Sequence, residues 1–205
     1  SNRAPALEAQ GGHKVKKTSD EKTAVLRRYT SLPALLHLLH TRKITLLSPE
    51  SWDDRNDAFF MSQYKKRRGA KSILALCFAE ANETYHHWRV FTHGSDGVCI
   101  VFRRDQLVAA FDTVPNIYKQ AVEYKLITEL QKFRPSVAQL PFLKRQPYRD
   151  EKDFRLVYVD QTLEIESKGF DIDLTCIERI TLNPWMPKPL ADAVKSIILS
   201  IDGCK

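Results

Sequence analysis

Residues 73–102 read ILALCFAEANETYHHWRVFTHGSDGVCIVF, and the fold is decided by how this stretch is read. It opens on an unbroken apolar run, 73–78, and closes on another, 98–102. Runs this short, rich in branched and aromatic side chains, predict strands buried on both faces. The insert between them is polar and aromatic. Asn82 is placed to cap a short helix and Gly94 to end it. Tyr85, Trp88 and Phe91 recur every third residue and share roughly one helix face. With His86, His87 and His93 they give that helix an unusual density of groups that bind or react.

Moving outward toward the N-terminus, residues 26–30 predict a strand. Ser31 then caps a helix with Pro33 in its first turn, where the missing N–H costs nothing. Leu32, Leu35, Leu36 and Leu39 form its apolar stripe. Residues 44–48 are the next strand. Asp53, Asp54, Asn56 and Asp57 crowd after Trp52; without the glycine and terminal glutamate of a calcium loop, they read as a capped loop leading into a helix over 58–64. His37 and His40 are too few for zinc. Residues 1–20 have no periodicity and read as a flexible tail, leaving 21–205 as a single domain.

Toward the C-terminus, helices are expected over 105–111 and 126–133, with a strand over 117–124 between them. Residues 135–147, with three prolines, read as irregular. Residues 154–159 form a strand, and Glu151, Asp153 and Arg155 are expected to share one face by the period of two. Residues 163–165 are expected to pair with it. A strand over 177–182 and an amphipathic helix over 190–201 close the chain. Strands joined by short helices, without regular βαβ alternation, predict an α+β fold with a mixed, mostly antiparallel sheet.

The chain has 205 residues, 43% apolar and 28% charged, with a formal net charge of +7. No stretch approaches the about 20 apolar residues that span a bilayer, and a cytoplasmic protein is expected. The four cysteines form no CxxC pair and read as buried free thiols. The excess charge, concentrated at Lys14, Lys16, Lys17 and in KKRRGAK at 65–71, invites a nucleic-acid partner. No GxGxxG, GxxxxGK[ST] or HExxH occurs.

The pieces LRRYTS, KITLLSPESWDDRNDAFF, LALCFAE, HHWRVFTHGSDGVCIVF, EKDFRLVY and ERITLNP, in that order, resemble the bacterial and phage domain-of-unknown-function family numbered 2971. The usual asparagine-aspartate-proline of that family stands here as Asp54-Arg55-Asn56-Asp57, and its paired glutamates as Glu151 and Asp153. The opening pattern also resembles the start of ADP-ribosyltransferase-like domains, which use NAD as substrate. That resemblance implies an ADP-ribosyltransferase or glycohydrolase acting in defence or as a toxin-type effector, on a nucleic-acid or protein acceptor. It implies that Arg28, with Tyr29 and Thr30 beside it, holds part of NAD. It also implies that Tyr85 or Trp88, next to His86, packs on nicotinamide, and that Glu151 or Asp153, with Arg155 nearby, is the catalytic carboxylate. No metal is expected. The competing readings are a nucleic-acid-binding or processing module and an interaction domain without a cleft. The first needs residues 65–71, Arg103, Arg104, Lys144 and Arg145 on one basic face.

Overall fold

The computed structural model describes residues 24–52, 54–92, 94–132 and 134–204. The expected tail, with Lys14, Lys16 and Lys17, lies outside the described residues, as do Asp53 and His93. In chain order the elements are Val25–Ser31 (β1), Leu32–Thr41 (α1), Lys43–Leu47 (β2), Arg55–Arg68 (α2), Ser72–Ala79 (β3), Tyr85–Phe91 (α3), Gly97–Arg103 (β4) and Arg104–Ala109 (α4). Then come Ile117–Ala121 (β5), Glu123–Lys125 (β6), Ile127–Lys132 (α5), Leu143–Arg145 (β7), Asp153–Asp160 (β8), Ser167–Asp171 (β9), Ile177–Leu182 (β10) and Lys188–Leu199 (α6).

Local chemistry accounts for the helix ends. Ser31 accepts a hydrogen bond from the Ala34 N–H, with Pro33 in the first turn of α1. Asp54 accepts from the N–H groups of Asn56 and Asp57 at the start of α2, and Gly69, at φ 62°, ends that helix in the left-handed region. The capping device expected from the aspartate cluster is therefore present, and it is Asp54.

Eight strands form one mixed-size, antiparallel sheet, and β6 and β7 form a separate parallel pair. The α+β architecture with a mostly antiparallel sheet is the one expected. β3 and β4 are buried along nearly their whole length. On one face Leu74, Leu76, Phe78, Ile100, Phe102, Phe154 and Leu156 pack under α1 and α4 in the largest core cluster. On the other, Ile73, Ala75, Val157 and Val159 pack against Met61 and Tyr64 of α2. Farther along that same face Tyr29, Ala79, Cys99 and Val101 pack against Trp88 of α3.

The pairing is uneven, and this positions the site. β3 pairs with β8 over eight residues, and β1 pairs with β4 over seven. The other edge of β3 is shared by two strands. β1 touches it at the single pair Arg27–Ala79, and β2 at the single pair Leu47–Ala75. Between those two bridges the Cys77 carbonyl is left without a strand partner on that edge. The Arg28 guanidinium fills the gap, Nη1 donating to Cys77 O at 3.2 Å, because an unpaired buried carbonyl is costly.

Several expectations are corrected. Thr84, whose hydroxyl accepts from the His87 N–H, caps α3 in place of Asn82, and the helix ends at Thr92 before Gly94 is reached. A cap must lie next to the first helical turn, and Asn82 is too far upstream. Residues 163–165 do not pair with β8; β3 and β5 occupy both its edges. The true following strand, β9, pairs with β2. The segment read as irregular at 135–147 contains β7, and Glu151 lies in a short 3-10 turn, Gln146–Glu151, before β8 begins. Gly97 is required by a close approach: a Cβ there would lie 2.4 Å from Thr92 Cβ.

Candidate functional site

Asp153 and Arg155 begin β8 on the face covered by α2, and here a charged cluster is buried. Arg155 is 0% exposed. Its Nη1 donates to Asp57 Oδ1 at 2.7 Å and to the Pro141 carbonyl at 3.0 Å, and its Nη2 donates to Asp57 Oδ2. The Trp52 ring lies 5.0 Å from its guanidinium carbon. The bidentate geometry is the strongest form of such a pair. Lys144 of β7 lies beside it, donating to Glu151 Oε2 at 2.5 Å and to Asp153 Oδ2 at 2.9 Å. The Tyr124 hydroxyl accepts the Asp153 N–H at 2.8 Å.

Three carboxylates and two cations share this interior. Burial, and then the neighbouring Asp153, hold the Glu151 carboxyl above its ordinary range against the pull of Lys144. Burial raises Asp57 as well and outweighs Arg155. Burial alone would lower Lys144, but Asp153 and Glu151 outweigh it and hold the ammonium pKa up. Glu151 and Asp153 are each 4% exposed.

A crevice lies where β1 and β3 part. Its lining includes Arg27, Arg28, Tyr29, Cys77, Phe91 and Asp153 around a cavity of about 30 Å³. The Tyr29 hydroxyl is buried and has no hydrogen-bond partner within bonding geometry among the described residues. Its cross-strand neighbour is Cys99, and burial raises the pKa of both groups, the thiol to about 12. Tyr29 stacks on His87 at 5.3 Å and meets the Trp88 ring edge-on at 5.2 Å. Trp88 is buried, its Nε1 donating to Glu83 at 2.8 Å. Burial, and then His86, lower the His87 pKa. Arg27 also borders an open cleft of about 710 Å³ that includes Glu80, Asn82, Arg104 and Arg179.

Of the residues singled out from sequence, Arg28, Tyr29 and Asp153 line this one crevice. Trp88 adjoins it through Tyr29. Glu151 and Arg155 stand behind Asp153, held by Lys144 and Asp57. Tyr85 lies on the outer side of α3, 64% exposed, and His86 is exposed beside it. Thr30 is half-buried on β1. Lys144 is buried, so it takes no part in a basic surface.

Sequence reasoning missed Asp57 and Lys144 as members of the cluster. Signals existed for both. Lys144 directly follows the apolar run LPFL, a position that buries a lysine only beside carboxylates, and the five polar residues after Trp52 exceed what one cap requires. No group of three or more side chains suited to a metal occurs among the described residues.

No protein family and no curated protein matches the chain by sequence. Three solved structures of Thermus sp. 2.9 DarT overlap it, each with a TM-score of 0.44. The complex with ADP-ribosylated ssDNA is 12% identical, over 90% of this chain and 91% of that one. The complex with NAD+ is 15% identical, over 92% and 94%. The complex with carba-NAD+ is 13% identical, over 90% and 93%. Overlap this loose transfers no residue roles. No described helix is long and apolar enough to cross a membrane.

Proposed function

We propose that the chain is an NAD-using ADP-ribosyltransferase-like enzyme whose reacting centre is the crevice between β1 and β3. The observation that carries the reading is the meeting of Arg28, Tyr29 and Asp153 around one cavity. The resemblance of the opening motif to ADP-ribosyltransferase-like domains supports the same assignment.

The open cleft beside Arg27 takes the bulk of the dinucleotide, with Arg27, Arg104 and Arg179 offering cationic donors to the diphosphate. The nicotinamide end points toward the crevice. Cleavage breaks the bond between C1′ of the ribose and the pyridinium nitrogen. The electron pair leaves with neutral nicotinamide, and C1′ becomes oxocarbenium-like, as in glycoside hydrolysis. Asp153 is the carboxylate nearest the crevice and stabilises that charge. Glu151 acts through Lys144, which holds both carboxylates. The acceptor, water or a nucleophilic atom of a nucleic acid or protein, attacks C1′ and loses its proton to solvent.

The test incubates the protein with NAD and follows nicotinamide release in the wild type and in Arg28→Ala, Asp153→Asn and Glu151→Gln. Release that is lost in Asp153→Asn and weakened in Arg28→Ala is expected. No release, with no saturable NAD binding by calorimetry, removes the proposal. That outcome favours the second reading, a nucleic-acid-binding module, which the net charge of +7 supports.

A further inference from the structure

The outer side of α3 carries a cluster that neither the fold nor the crevice uses. Tyr85 is 64% exposed and Trp185, in the turn after β10, is 44% exposed. The two rings meet edge-on at 5.4 Å. The Arg89 guanidinium carbon lies 4.5 Å from the Trp185 ring centre and 5.2 Å from that of Tyr85, and Arg89 Nε donates to the Tyr85 hydroxyl at 2.9 Å. Tyr85 and Trp185 stand perpendicular to each other, and Arg89 lies against both exposed rings and joins them into one two-walled platform. The turn that carries Trp185 is held by Asn183, whose Oδ1 accepts the backbone N–H of Trp185 at 2.9 Å and whose Nδ2 donates to the Gly94 carbonyl at 2.9 Å.

The platform borders a pocket of about 450 Å³ that includes Trp88, Arg89, Thr92, Ser95, Asn183 and Trp185, within the range of small-molecule sites. Asn183 also lines a groove of about 890 Å³ between β10 and α6, where Arg179, Lys188 and Lys195 stand with Glu178 and Asp192. Lys188 is paired with Asp192. Lys195 forms no ion pair among the described residues and stands in that groove as a cation open to a phosphate. The chain as a whole carries a net charge of +7.

We propose that Tyr85, Arg89 and Trp185 form a stacking platform for an unpaired base of single-stranded nucleic acid. Aromatic faces and an arginine plane bind bases by stacking, largely without regard to sequence, and neighbouring cations track the backbone. The opposite side of α3 packs Trp88 and Phe91 on Tyr29, the wall of the crevice. If the NAD reading above holds, on which this last step alone rests, a strand anchored on the platform presents a neighbouring nucleotide as acceptor.

The experiment needs no NAD, so its result is independent of that reading. Binding of a fluorescein-labelled (dT)12 oligonucleotide is followed by anisotropy for wild type, Trp185→Ala, Trp185→Phe and Arg89→Ala, with thermal melts to confirm folding. Saturable, salt-sensitive binding is expected. Trp185→Ala weakens it about 5- to 150-fold, the loss of one stacked base, and Trp185→Phe restores most of it. Arg89→Ala weakens it as well. A duplex or an abasic oligonucleotide of equal charge binds less tightly than (dT)12. Equal binding of the abasic strand, no effect of Trp185→Ala and Arg89→Ala, or no binding at all overturns the proposal. So does free AMP binding as tightly as the oligonucleotide, which assigns the platform to a mononucleotide. A variant that fails to melt cooperatively is replaced by Tyr85→Ala, at the most exposed member.

Discussion

Replacing Asp57 by alanine removes both carboxylate oxygens from Arg155. What remains to that guanidinium is one carbonyl, Pro141 O at 3.0 Å, and the Asp153 carboxylate at 3.7 Å. Arg155 is 0% exposed, so water cannot take the place of Asp57. Its Nε is already without a partner. Breaking a buried pair by deleting one member costs about 3–5 kcal/mol, because the stranded charge keeps its full desolvation penalty. For a chain of this size each kcal/mol shifts the melting temperature by about 2–4 °C, so Asp57→Ala is expected to melt roughly 6–20 °C lower. The change also unties α2 from β8, two elements far apart in sequence. The double variant Asp57→Leu with Arg155→Met is the decisive companion. It strands no charge and is expected to cost less than Asp57→Ala alone. Scanning calorimetry and urea unfolding measure both. An Asp57→Ala protein melting within about 2 °C of wild type would refute the reasoning, as would a double variant less stable than the single one.

Phe78→Ala is expected to cost about 3–5 kcal/mol in urea unfolding, since Phe78 is 1% exposed and meets Phe102 edge-on in the largest core cluster. Asp54→Ala removes the cap of α2 and is expected to cost about 1 kcal/mol by the same measurement. The raised Glu151 pKa means that the folded protein holds this proton more tightly than the unfolded chain does. Stability from this group therefore falls as pH rises from the ordinary glutamate value of 4.5 through the higher folded value. Urea midpoints for wild type and Glu151→Gln should diverge in favour of Glu151→Gln as pH rises over that window; midpoints that keep a constant offset would count against it.

The strands were legible because their burial is local in origin. Residues 73–78 and 98–102 are apolar without interruption, and the sheet uses both of their faces. The crevice was legible in part. Arg28 and Tyr29 lie side by side on a short strand whose only aliphatic residues are Val25 and Leu26, and Asp153 is a charge at the start of another. What brings them together is a pairing fact, the sharing of one β3 edge by β1 and β2, and nothing in either strand's composition encodes which neighbour it will take. Lys144 was hidden for a related reason. The three-residue strand that holds it exists only through its parallel pairing with residues 123–125, and so short a strand leaves no periodicity to read. Trp185 lies in a proline-bearing turn, where exposure depends on the helix that happens to pass beside it.

The order of pairings has a consequence for how the chain is made. β1 pairs with β4, while β3, which lies between them in sequence, pairs along its length with β8 near the far end. The two pairings interleave, so the sheet cannot be assembled from successive hairpins. During synthesis, which proceeds from the N-terminus, β1 meets its partner once residue 103 has emerged. β3 must then wait until residue 160 for its own, with an apolar strand edge open in the interval. Pairings this distant in sequence slow folding, and unpaired apolar edges invite association with other chains. Premature termination between β4 and β8 therefore yields a fragment in which β1 and β4 can pair while β3, β4 and β2 each lack the partner that β8, β10 and β9 would supply.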